Sequence, residues 1–476
     1  MGAVTDQATV QSHHMEQIEV SNWFGSIRSH PAVIVEAETV EEITAVLKDR
    51  ERYPSPVRAV GSNHSTTPCG VAEGGTLIVM RKMDRIIEIR DDSVTAQAGA
   101  LYYDVAQELR KHNLQFFVNV ELGNLTIGSA ACGGTKDASM PGEFGQVASY
   151  ATSIKMITPA GDLVEVTESD PELMQLARSS YGLFGIVYEV TFRVRPLVPM
   201  RVYHKHYKFE VFERELPKLW EQGESIMMYL NPFTDTVLVE FRKYHDELAG
   251  HKVTNWQWRL RNAIWSHYAP LYGYLVNRFV PGKGFQHFLT NLYNRLIVFV
   301  ATNVVRGENT AATSQQIKYP FVSNNSRYTF SIWAFPEERY IECVRRYFEF
   351  SKQYDREHGY RLNLLSVGYR IKADQSSLFS YSFDGPVMTF DPVSTGNAGW
   401  EDFLRAYNDL CSELGGVPLF NQTNLLTRAH VDRAFGDRPA KFDARRRQYD
   451  PTNRLLNPYF EELLGQPATV AGGDRG

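Results

Sequence analysis

RAVGSNHSTTPCG, residues 58–70, begins in a β-type run and then passes into small residues with a histidine, His64, among them. Small residues let the backbone come close to a bound ligand, and glycine also permits positive φ. A histidine in such a loop either performs chemistry or forms hydrogen bonds with the surrounding backbone. The stretch therefore predicts a strand over 57–60 that ends in a candidate ligand-binding loop.

Two later stretches share this composition: LGNLTIGSAACGGTKDAS at 122–139 and SSYGLFGIVYEVTFRV at 179–194. Three turns rich in glycine and serine could bind a pyrophosphate through backbone N–H groups if they meet at one site. The chain contains neither a lysine-bearing GxxxxGKS/T loop nor a GxGxxG turn that opens a helix after the first strand. The sequence therefore excludes a P-loop and a Rossmann fingerprint.

The composition sets limits on the class of protein. With 50 basic and 55 acidic residues, the chain gives no global reason to expect nucleic acid as a partner. Its four cysteines form no CxxC pair and no metal-type cluster with histidine, so we expect a reducing compartment and no metal. Residues 1–26 lack the apolar segment of a signal peptide, and no apolar run reaches the roughly 18 residues of a membrane span. We expect a soluble, cytoplasmic protein.

The pattern of elements divides the 476 residues into two domains of an α+β fold with flanking segments. Short strands and helices alternate with glycine turns in the first domain, whereas the second has longer strands and aromatic segments that predict an antiparallel sheet covered by helices. Within the second domain we predict a strand over 328–335, a helix over 337–354 and a strand over 362–371. The expected boundaries are an N-terminal extension at 1–26, the first domain at 27–197, the second at 198–436, and a C-terminal segment at 437–476 that returns to the first domain before a disordered tail.

In order and spacing, the three glycine stretches resemble the FAD-linked oxidases of the vanillyl-alcohol oxidase superfamily, which carry a PCMH-type FAD-binding domain. The ending Tyr449-Asp450-Pro451 with Leu456-Asn457-Pro458-Tyr459 is similar to that of the aldonolactone and alditol oxidase branch. The resemblance extends over roughly residues 27–465 and implies two α+β subdomains that bind FAD beside a substrate domain. It assigns cofactor contacts to Val60, Gly61, Ser62, Asn63, His64, Ser65, Gly123, Asn124, Thr126, Ile127, Gly128, Gly134, Thr135, Gly185, Ile186, Val187 and Asn457.

The resemblance also implies a role for the histidine of the opening stretch. In relatives with this loop, the matching residue is bonded through a ring nitrogen to the 8α carbon of the flavin, so His64 is expected to tether FAD. The alternative is a loop histidine that is satisfied by neighbouring backbone groups. Some relatives add a cysteinyl bond, but Cys132 is offset from that position and is expected to be a small buried thiol, as is Cys69.

The catalytic motifs of the branch are only partly present. An arginine on a central strand of the substrate domain is matched by Arg370, which follows Tyr369. The H-W-x-K element is replaced by Leu419-Phe420-Asn421-Gln422, so that Gln422 stands in place of the lysine and cannot remove a proton. Lys136 replaces the histidine of the G-T-H-G motif that relatives often have. It either supplies the missing positive charge near the site or faces solvent. We therefore expect Arg370, Gln422, Asn421, Tyr369 and Lys136 at the site, with His430 a weaker candidate.

Residues 251–300 form an aromatic, basic insertion without a single Asp or Glu. Basic residues interleaved with aromatic ones suit peripheral contact with a membrane interface, and they would equally suit a lid over a bulky apolar substrate. In a third interpretation the aromatic residues simply form a core. A fourth is contact with single-stranded nucleic acid, which nothing else in the chain supports. The insertion favours a small-molecule substrate that is less polar than a free sugar.

These observations lead to one hypothesis and two rivals. We expect FAD-dependent oxidation of a CH–OH group of a polyol, lactone, lipid-linked sugar or bulkier alcohol by hydride transfer to flavin N5, with dioxygen or another acceptor reoxidising the flavin. The rival enzyme activity is dehydrogenation or reduction of a C–C bond in a lipophilic metabolite. The rival from another class is a membrane-surface or partner-binding protein that keeps flavin as a structural element.

Overall fold

A computed structural model of the chain describes residues 18–248, 253, 255–319 and 327–465. Its first subdomain is a parallel sheet in the order β3-β5-β4, preceded by a short hairpin of β1 and β2. Helix α1 begins with a capping box between Thr39 and Glu42 and buries one apolar face. The elements are β1 (Val20–Ser21), β2 (Arg28–Ser29), β3 (Val33–Glu36), α1 (Val40–Lys48), β4 (Val57–Val60) and β5 (Thr76–Val79).

The second subdomain is an antiparallel sheet in the order β10-β9-β11-β7-β6, with β8 paired to the far end of β11. The long strand β11 pairs with both β9 and β7, so it lies at the centre of the sheet. The elements are β6 (Ile86–Ile89), β7 (Ser93–Gln97), α2 (Tyr102–Lys111), β8 (Leu114–Phe116), α3 (Ile127–Cys132), β9 (Ala151–Ile157), β10 (Leu163–Thr167), α4 (Pro171–Ala177) and β11 (Ile186–Pro196).

The remaining strands build an eight-stranded antiparallel sheet in the order β15-β12-β14-β13-β18-β19-β17-β21, and β16 pairs with β20 in a separate ribbon. The α+β fold with a helix-covered antiparallel sheet is thus confirmed. The elements are β12 (Pro199–Lys208), α5 (Phe209–Glu221), β13 (Ser225–Asn231), β14 (Thr236–Tyr244), α6 (Trp256–Ala263), a π-helical turn (Ile264–Tyr268), α7 (Ala269–Phe279), α8 (Lys283–Asn303), β15 (Gly307–Ala311), β16 (Thr329–Phe330), β17 (Trp333–Pro336), α9 (Tyr340–His358), β18 (Ser366–Ile371), β19 (Val387–Thr389), β20 (Val393–Ser394), α10 (Trp400–Glu413), β21 (Val417–Pro418), α11 (Arg428–Phe435), α12 (Arg438–Tyr449) and α13 (Pro458–Leu464).

One predicted strand, 328–335, is divided in the structure. Its first part, β16, pairs with β20, whereas its second part, β17, pairs with β19 and β21 in the large sheet. The prediction of a single strand was wrong because alternating apolar residues fit either sheet and do not show where the chain leaves one for the other. The predicted strand over 362–371 is also shorter, since only β18 is extended and paired.

The C-terminal segment packs against the first subdomain. The carbonyl of Arg454 accepts a hydrogen bond of 2.8 Å from the N–H of Val57, the first residue of β4. The buried guanidinium of Arg454 donates to the carbonyl of Val46, at 2.8 Å, and to the hydroxyl of Ser55, at 3.0 Å. Arg454 therefore holds together residues that are about 400 positions apart in the sequence, through both its side chain and its backbone carbonyl.

We expect Arg454→Met to lower the free energy of unfolding by about 2–4 kcal/mol, because it leaves the carbonyl of Val46 buried without its charged donor. The measurement is urea denaturation followed by tryptophan fluorescence. The control is Lys441→Met, which removes an exposed ion pair with Asp437 and should change the free energy by less than about 0.5 kcal/mol. Equal unfolding midpoints for the two variants would contradict this account of the C-terminal contact.

Candidate active site

The three glycine stretches of the sequence meet around one cavity of about 1010 Å³, here called the first cavity. Loop 58–65 forms one wall, the beginning of α3 with its preceding residues forms a second, and the turn before β11 forms a third. This is the convergence that the sequence predicts. The wall residues are Arg58, Ala59, Val60, Gly61, Ser62, Asn63, His64, Ser65, Cys69, Gly70, Met80, Ala98, Leu122, Leu125, Thr126, Gly128, Ser129, Cys132, Gly133, Thr135, Tyr181, Gly182, Gly185, Val187, Asn421 and Gln422.

Two glycines of these walls lie in close contact with neighbouring segments. A Cβ atom added at Gly61 would lie 2.2 Å from Oγ1 of Thr126, and one at Gly185 would lie 2.7 Å from the carbonyl oxygen of Ile157. Both approaches are closer than any other residue permits. In the same walls, Oγ of Ser62 and Oδ1 of Asn421 are buried without a hydrogen-bond partner among the described residues. A polar ligand such as FAD, with hydroxyl, phosphate and ring heteroatoms, fits these donors and acceptors.

His64 lies in the first wall, where an aromatic side chain stacks on its ring. Its imidazole stacks on the indole of Trp23, with ring centroids 4.8 Å apart and an angle of 22° between the planes. The backbone N–H of Trp23 donates to the carbonyl of Asn63 at 2.8 Å, and the side chain of Asn22 donates to the carbonyl of Ser65 at 2.9 Å. Burial, with the nearby charge of Arg327, lowers the pKa of His64 to about 3. The imidazole is therefore neutral at physiological pH.

Trp23 is a residue that the sequence analysis missed, because it falls within the segment assigned to an extension. Residues 20–29 form the β1–β2 hairpin, and Nδ2 of Asn63 donates to the carbonyl of Ser21 at 3.0 Å. Residues 21–23 thus pack against the loop that forms the first wall. No local signal in the sequence marks this, since the contact joins segments about 40 residues apart.

Several residues assigned to the cofactor support the walls without lining the first cavity: Gly123, Asn124, Ile127, Gly134, Ile186 and Asn457. The amide of Asn124 bonds the backbone N–H and carbonyl of Tyr319. The side chain of Asn457 caps α13 and donates to the carbonyls of Pro68 and Val71 at 3.0 Å each. The polar side chains of Asn124 and Asn457 thus hold neighbouring loops together, and the assignment of these six residues to cofactor contact stays a prediction.

A second cavity of about 860 Å³ adjoins the first and shares four wall residues with it, namely Leu122, Leu125, Thr135 and Gln422. Strands β13 and β18 form its floor, and the π-helical turn and α7 contribute Trp265 and Pro270. The remaining residues of the lining, including those of the two floor strands, are mainly apolar. They are Val120, Glu121, Lys136, Met227, Tyr229, Tyr328, Phe330, Ile332, Leu364, Val367, Tyr369, Asp391 and Val393.

A buried ion pair stands in this apolar second cavity. Nζ of Lys136 lies 2.7 Å from Oδ2 of Asp391 and 3.5 Å from the ring centroid of Tyr369. Oδ1 of Asp391 has no well-formed hydrogen bond to a described residue. The carboxylate of Glu121, by contrast, is satisfied by the guanidinium of Arg261 at 2.6 Å and the hydroxyl of Tyr319 at 2.9 Å. The Asp391 carboxylate pairs with Lys136, and a hydrogen bond with the hydroxyl of Thr389 also favours its charged form.

Burial acts on both members of the pair. It raises the pKa of Asp391 to about 6, against the opposing effect of the Lys136 ammonium, and it lowers the pKa of Lys136. The sequence analysis left open whether Lys136 faces solvent, and the structure buries it. Asp391 was missed because Asp391-Pro392 has the composition of a turn.

Arg370 and Tyr369 lie on opposite faces of β18. Tyr369 lines the second cavity, whereas the guanidinium of Arg370 faces the helical layer, where it donates to Glu337 at 2.8 and 2.9 Å and to the carbonyl of Trp220. Successive side chains of a strand point to opposite faces, so only one of the two can reach the site. The assignment of Arg370 to the site is corrected.

His430 is also structural. Its Nδ1 accepts from the N–H of Thr427 at the start of α11, and its Nε2 lies 2.9 Å from Asp409. Asn421 donates to the carbonyl of Gly134 at 2.8 Å and lines the first cavity. Gln422 lines both cavities, so its side chain lies at the junction between them.

The four cysteines are buried and form no disulfide bonds. Two of them, Cys69 and Cys132, line the first cavity. Burial raises the pKa of Cys132 to about 11, so this thiol is protonated at neutral pH. Within the described residues, no three His, Cys, Asp or Glu side chains are grouped as a metal site.

Comparison with known proteins agrees with this geometry. Residues 31–167 match a family model described as an FAD binding domain, and residues 190–463 match the model of D-arabinono-1,4-lactone oxidase. The chain is 22% identical to L-gulonolactone oxidase of Bos taurus over 95% of this chain and 99% of that protein. It is also 22% identical to L-gulono-1,4-lactone dehydrogenase of Mycobacterium tuberculosis, over 94% of this chain and 99% of that protein.

Among solved structures, cholesterol oxidase from B. sterolicum has a similar fold, with a TM-score of 0.68 and 15% identity over 94% of this chain and 96% of that one. None of the helices among the described residues has the length and apolar character needed to cross a membrane. The second family model covers more than half of the chain, residues 190–463, and the first covers two of the three walls of the first cavity. The chain belongs to the D-arabinono-1,4-lactone oxidase family and is an FAD-dependent oxidoreductase that acts on CH–OH groups.

Proposed function

We propose that this enzyme oxidises a single CH–OH group of a largely apolar alcohol in the second cavity, and that Asp391 accepts the hydroxyl proton. The observation that carries the proposal is a buried carboxylate, paired with Lys136, in a mainly apolar cavity that adjoins the first cavity. Among the described residues no arginine lines this cavity, and Gln422 stands where the branch that the sequence resembles has a lysine.

Oxidation of an alcohol removes a hydride from carbon and a proton from the hydroxyl oxygen, in one step or two. Bound FAD supplies the hydride acceptor. The residues of this chain have to orient the hydroxyl and take up its proton. Asp391 is the proposed acceptor, and the ammonium of Lys136 beside Oδ2 favours its ionised form. The amide of Gln422, at the junction of the cavities, can donate a hydrogen bond to the hydroxyl oxygen of the substrate.

The walls of the second cavity support an apolar substrate. A sugar lactone or polyol brings several hydroxyls, and each one buried without a partner costs about 1–3 kcal/mol. Apart from the ion pair and Glu121, the cavity offers mostly Met, Val, Leu, Ile and aromatic side chains. A substrate with one hydroxyl near Asp391 and a hydrocarbon body satisfies these walls better. The relatives are named for sugar lactones, so a lactone is the alternative substrate class.

We also propose that His64 tethers FAD. Its neutral imidazole lies in the wall of the first cavity, held by Trp23, and a neutral ring retains the lone pair that a carbon–nitrogen bond requires. His64 would hold FAD through a ring nitrogen bonded to the 8α carbon, and the imidazole would give up its N–H hydrogen in forming that bond. The four buried, unpaired cysteines fit a reducing compartment, and we propose a cytoplasmic location on that basis.

Asp391→Asn is expected to lower kcat by about 10²–10⁴ while FAD binding is kept, because the amide cannot accept the hydroxyl proton. The carboxylate must be ionised to act. Since the pKa of Asp391 is raised to about 6, log kcat/KM of the unsubstituted enzyme should fall with a slope of about one as pH drops below 6. The measurement is steady-state turnover of a secondary alcohol between pH 4.5 and 8.

Two further variants sharpen this test. Lys136→Met should move the acid limb to higher pH, because the ammonium lowers the pKa of Asp391. Glu337→Gln, which removes a carboxylate on the opposite face of the same sheet, is the control and should leave the pH profile unchanged. An acid limb that persists in Asp391→Asn would exclude Asp391 as the proton acceptor.

The tether is tested by precipitating the purified protein with acid. The yellow colour should remain in the pellet of the unsubstituted protein and of His430→Ala, which removes a buried histidine of α11. It should pass into the supernatant for His64→Ala, because only the bond to His64 survives unfolding. Colour released from the unsubstituted protein would remove the tether and leave FAD binding intact.

A further inference from the structure

Exposed hydrophobic side chains are concentrated in one region of the molecule. Ten of the thirteen large hydrophobic residues exposed in the described part of the chain lie between positions 256 and 299. These residues belong to α6, the π-helical turn, α7 and α8. Clusters of this kind on a soluble protein mark a contact surface.

Helix α8 carries its apolar stripe on the side that faces solvent. Phe285, Phe288, Leu292, Leu296 and Phe299 follow the 3- and 4-residue spacing of one helix face, and each is more than half exposed. The side directed at the protein carries polar residues up to the middle of the helix, including Thr290 and the buried Asn294, and apolar residues only beyond it. A helix that packs only on its own domain has the opposite arrangement. The outer face of α8 is therefore built for an apolar contact.

Neighbouring elements extend this face. Tyr268, Leu275 and Phe279 follow the spacing of one helix side from the π-helical turn through α7, and Phe279 is 68% exposed. In α6, Trp256 and Leu260 are exposed one turn apart. Phe285 and Phe288 stack on each other with ring centroids 6.2 Å apart. The ten exposed residues of these elements are called the outer apolar face below.

The charged side chains on the helices of the outer apolar face have one sign. Arg259, Arg278, Lys283 and Arg295 are exposed on the same helices, and residues 251–300 contain no Asp or Glu. The whole chain nevertheless has a formal net charge of −5. An acidic protein that confines an exclusively basic segment to its apolar face has a surface complementary to anionic, amphipathic matter.

We propose that the outer apolar face docks on an anionic lipid bilayer surface, with the aromatic rings at the level of the headgroups and the arginines against lipid phosphates. Pairing with a second copy of the chain is disfavoured because it would bring the same basic residues together with no acidic partner on these helices. A bilayer accepts both features at once, since it offers hydrocarbon below and negative charge above.

The face also adjoins the second cavity. Trp265 of the π-helical turn lines that cavity and stacks on Tyr229 of β13 at 5.3 Å, and Pro270 of α7 lies in the same wall. Resting on the proposed function, docking would bring the wall of the substrate cavity to the lipid surface. An apolar substrate dissolved in the bilayer would then enter without crossing bulk water.

The test is flotation of the purified holoenzyme with vesicles of phosphatidylcholine, with and without 30 mol% phosphatidylserine, at low and high salt. We expect flotation with the anionic vesicles, reduced at least tenfold by Phe285→Ser/Phe288→Ser/Leu292→Ser and weakened by high salt and by Arg278→Gln/Arg295→Gln. Ile87→Ser/Leu163→Ser, which changes exposed hydrophobic residues of the FAD domain, should float like the unsubstituted protein.

Two results would overturn the proposal. One is equal flotation with and without vesicles. The other is a dimer in size-exclusion chromatography with light scattering that the triple serine variant converts to a monomer, since this would assign the face to a second copy. Turnover of a short, water-soluble alcohol is measured on the same samples and should be unchanged in the triple variant. Flotation needs no turnover, so failure of the proposed function and failure of docking are distinguishable.

Discussion

The close approach of glycine backbones is the constraint on which this structure depends. Gly61 lies against the side chain of Thr126, and Gly185 against the carbonyl of Ile157, at distances where any Cβ atom would clash. The first contact joins two of the three glycine stretches, and the hydrogen bond from the N–H of Tyr181 to the carbonyl of Cys132 joins the third stretch to the second. The first cavity lies between these three stretches. That arrangement positions three residues of the site, because each is attached to one of the three stretches. They are His64, Trp23 that stacks on it, and Gln422 between the two cavities.

The second cavity places a buried ion pair among mainly apolar walls. Burial of a lysine and a carboxylate in an apolar cavity is costly unless they pair, and Lys136 and Asp391 do so at 2.7 Å. The other residues that line this cavity are mainly apolar, with Glu121, Thr135 and Gln422 among the polar ones. On the proposal that Asp391 accepts the proton, such a cavity favours substrates with few hydroxyls.

The sequence was informative where function depends on local chemistry. The loop at 58–65 combines glycine, serine and histidine for reasons that can be read from the residues themselves, and the structure brings that loop to the first cavity. Lys136 could be recognised as a departure from the family pattern. Arg370 was misplaced because a strand exposes alternate residues, and the sequence does not state which of Tyr369 and Arg370 faces the site. Trp23 and Asp391 reach the site only through tertiary contacts, which no local pattern records.

The central claim is that the second cavity selects an apolar alcohol whose proton passes to Asp391. Anaerobic mixing of the purified enzyme with candidate substrates, with bleaching of the flavin absorbance followed in a stopped-flow instrument, tests this most directly. The account predicts that an alicyclic or long-chain secondary alcohol bleaches the flavin and that an aldono-1,4-lactone at the same concentration does so at least a hundredfold more slowly. Rapid bleaching by the lactone, with none by the apolar alcohols, would contradict it.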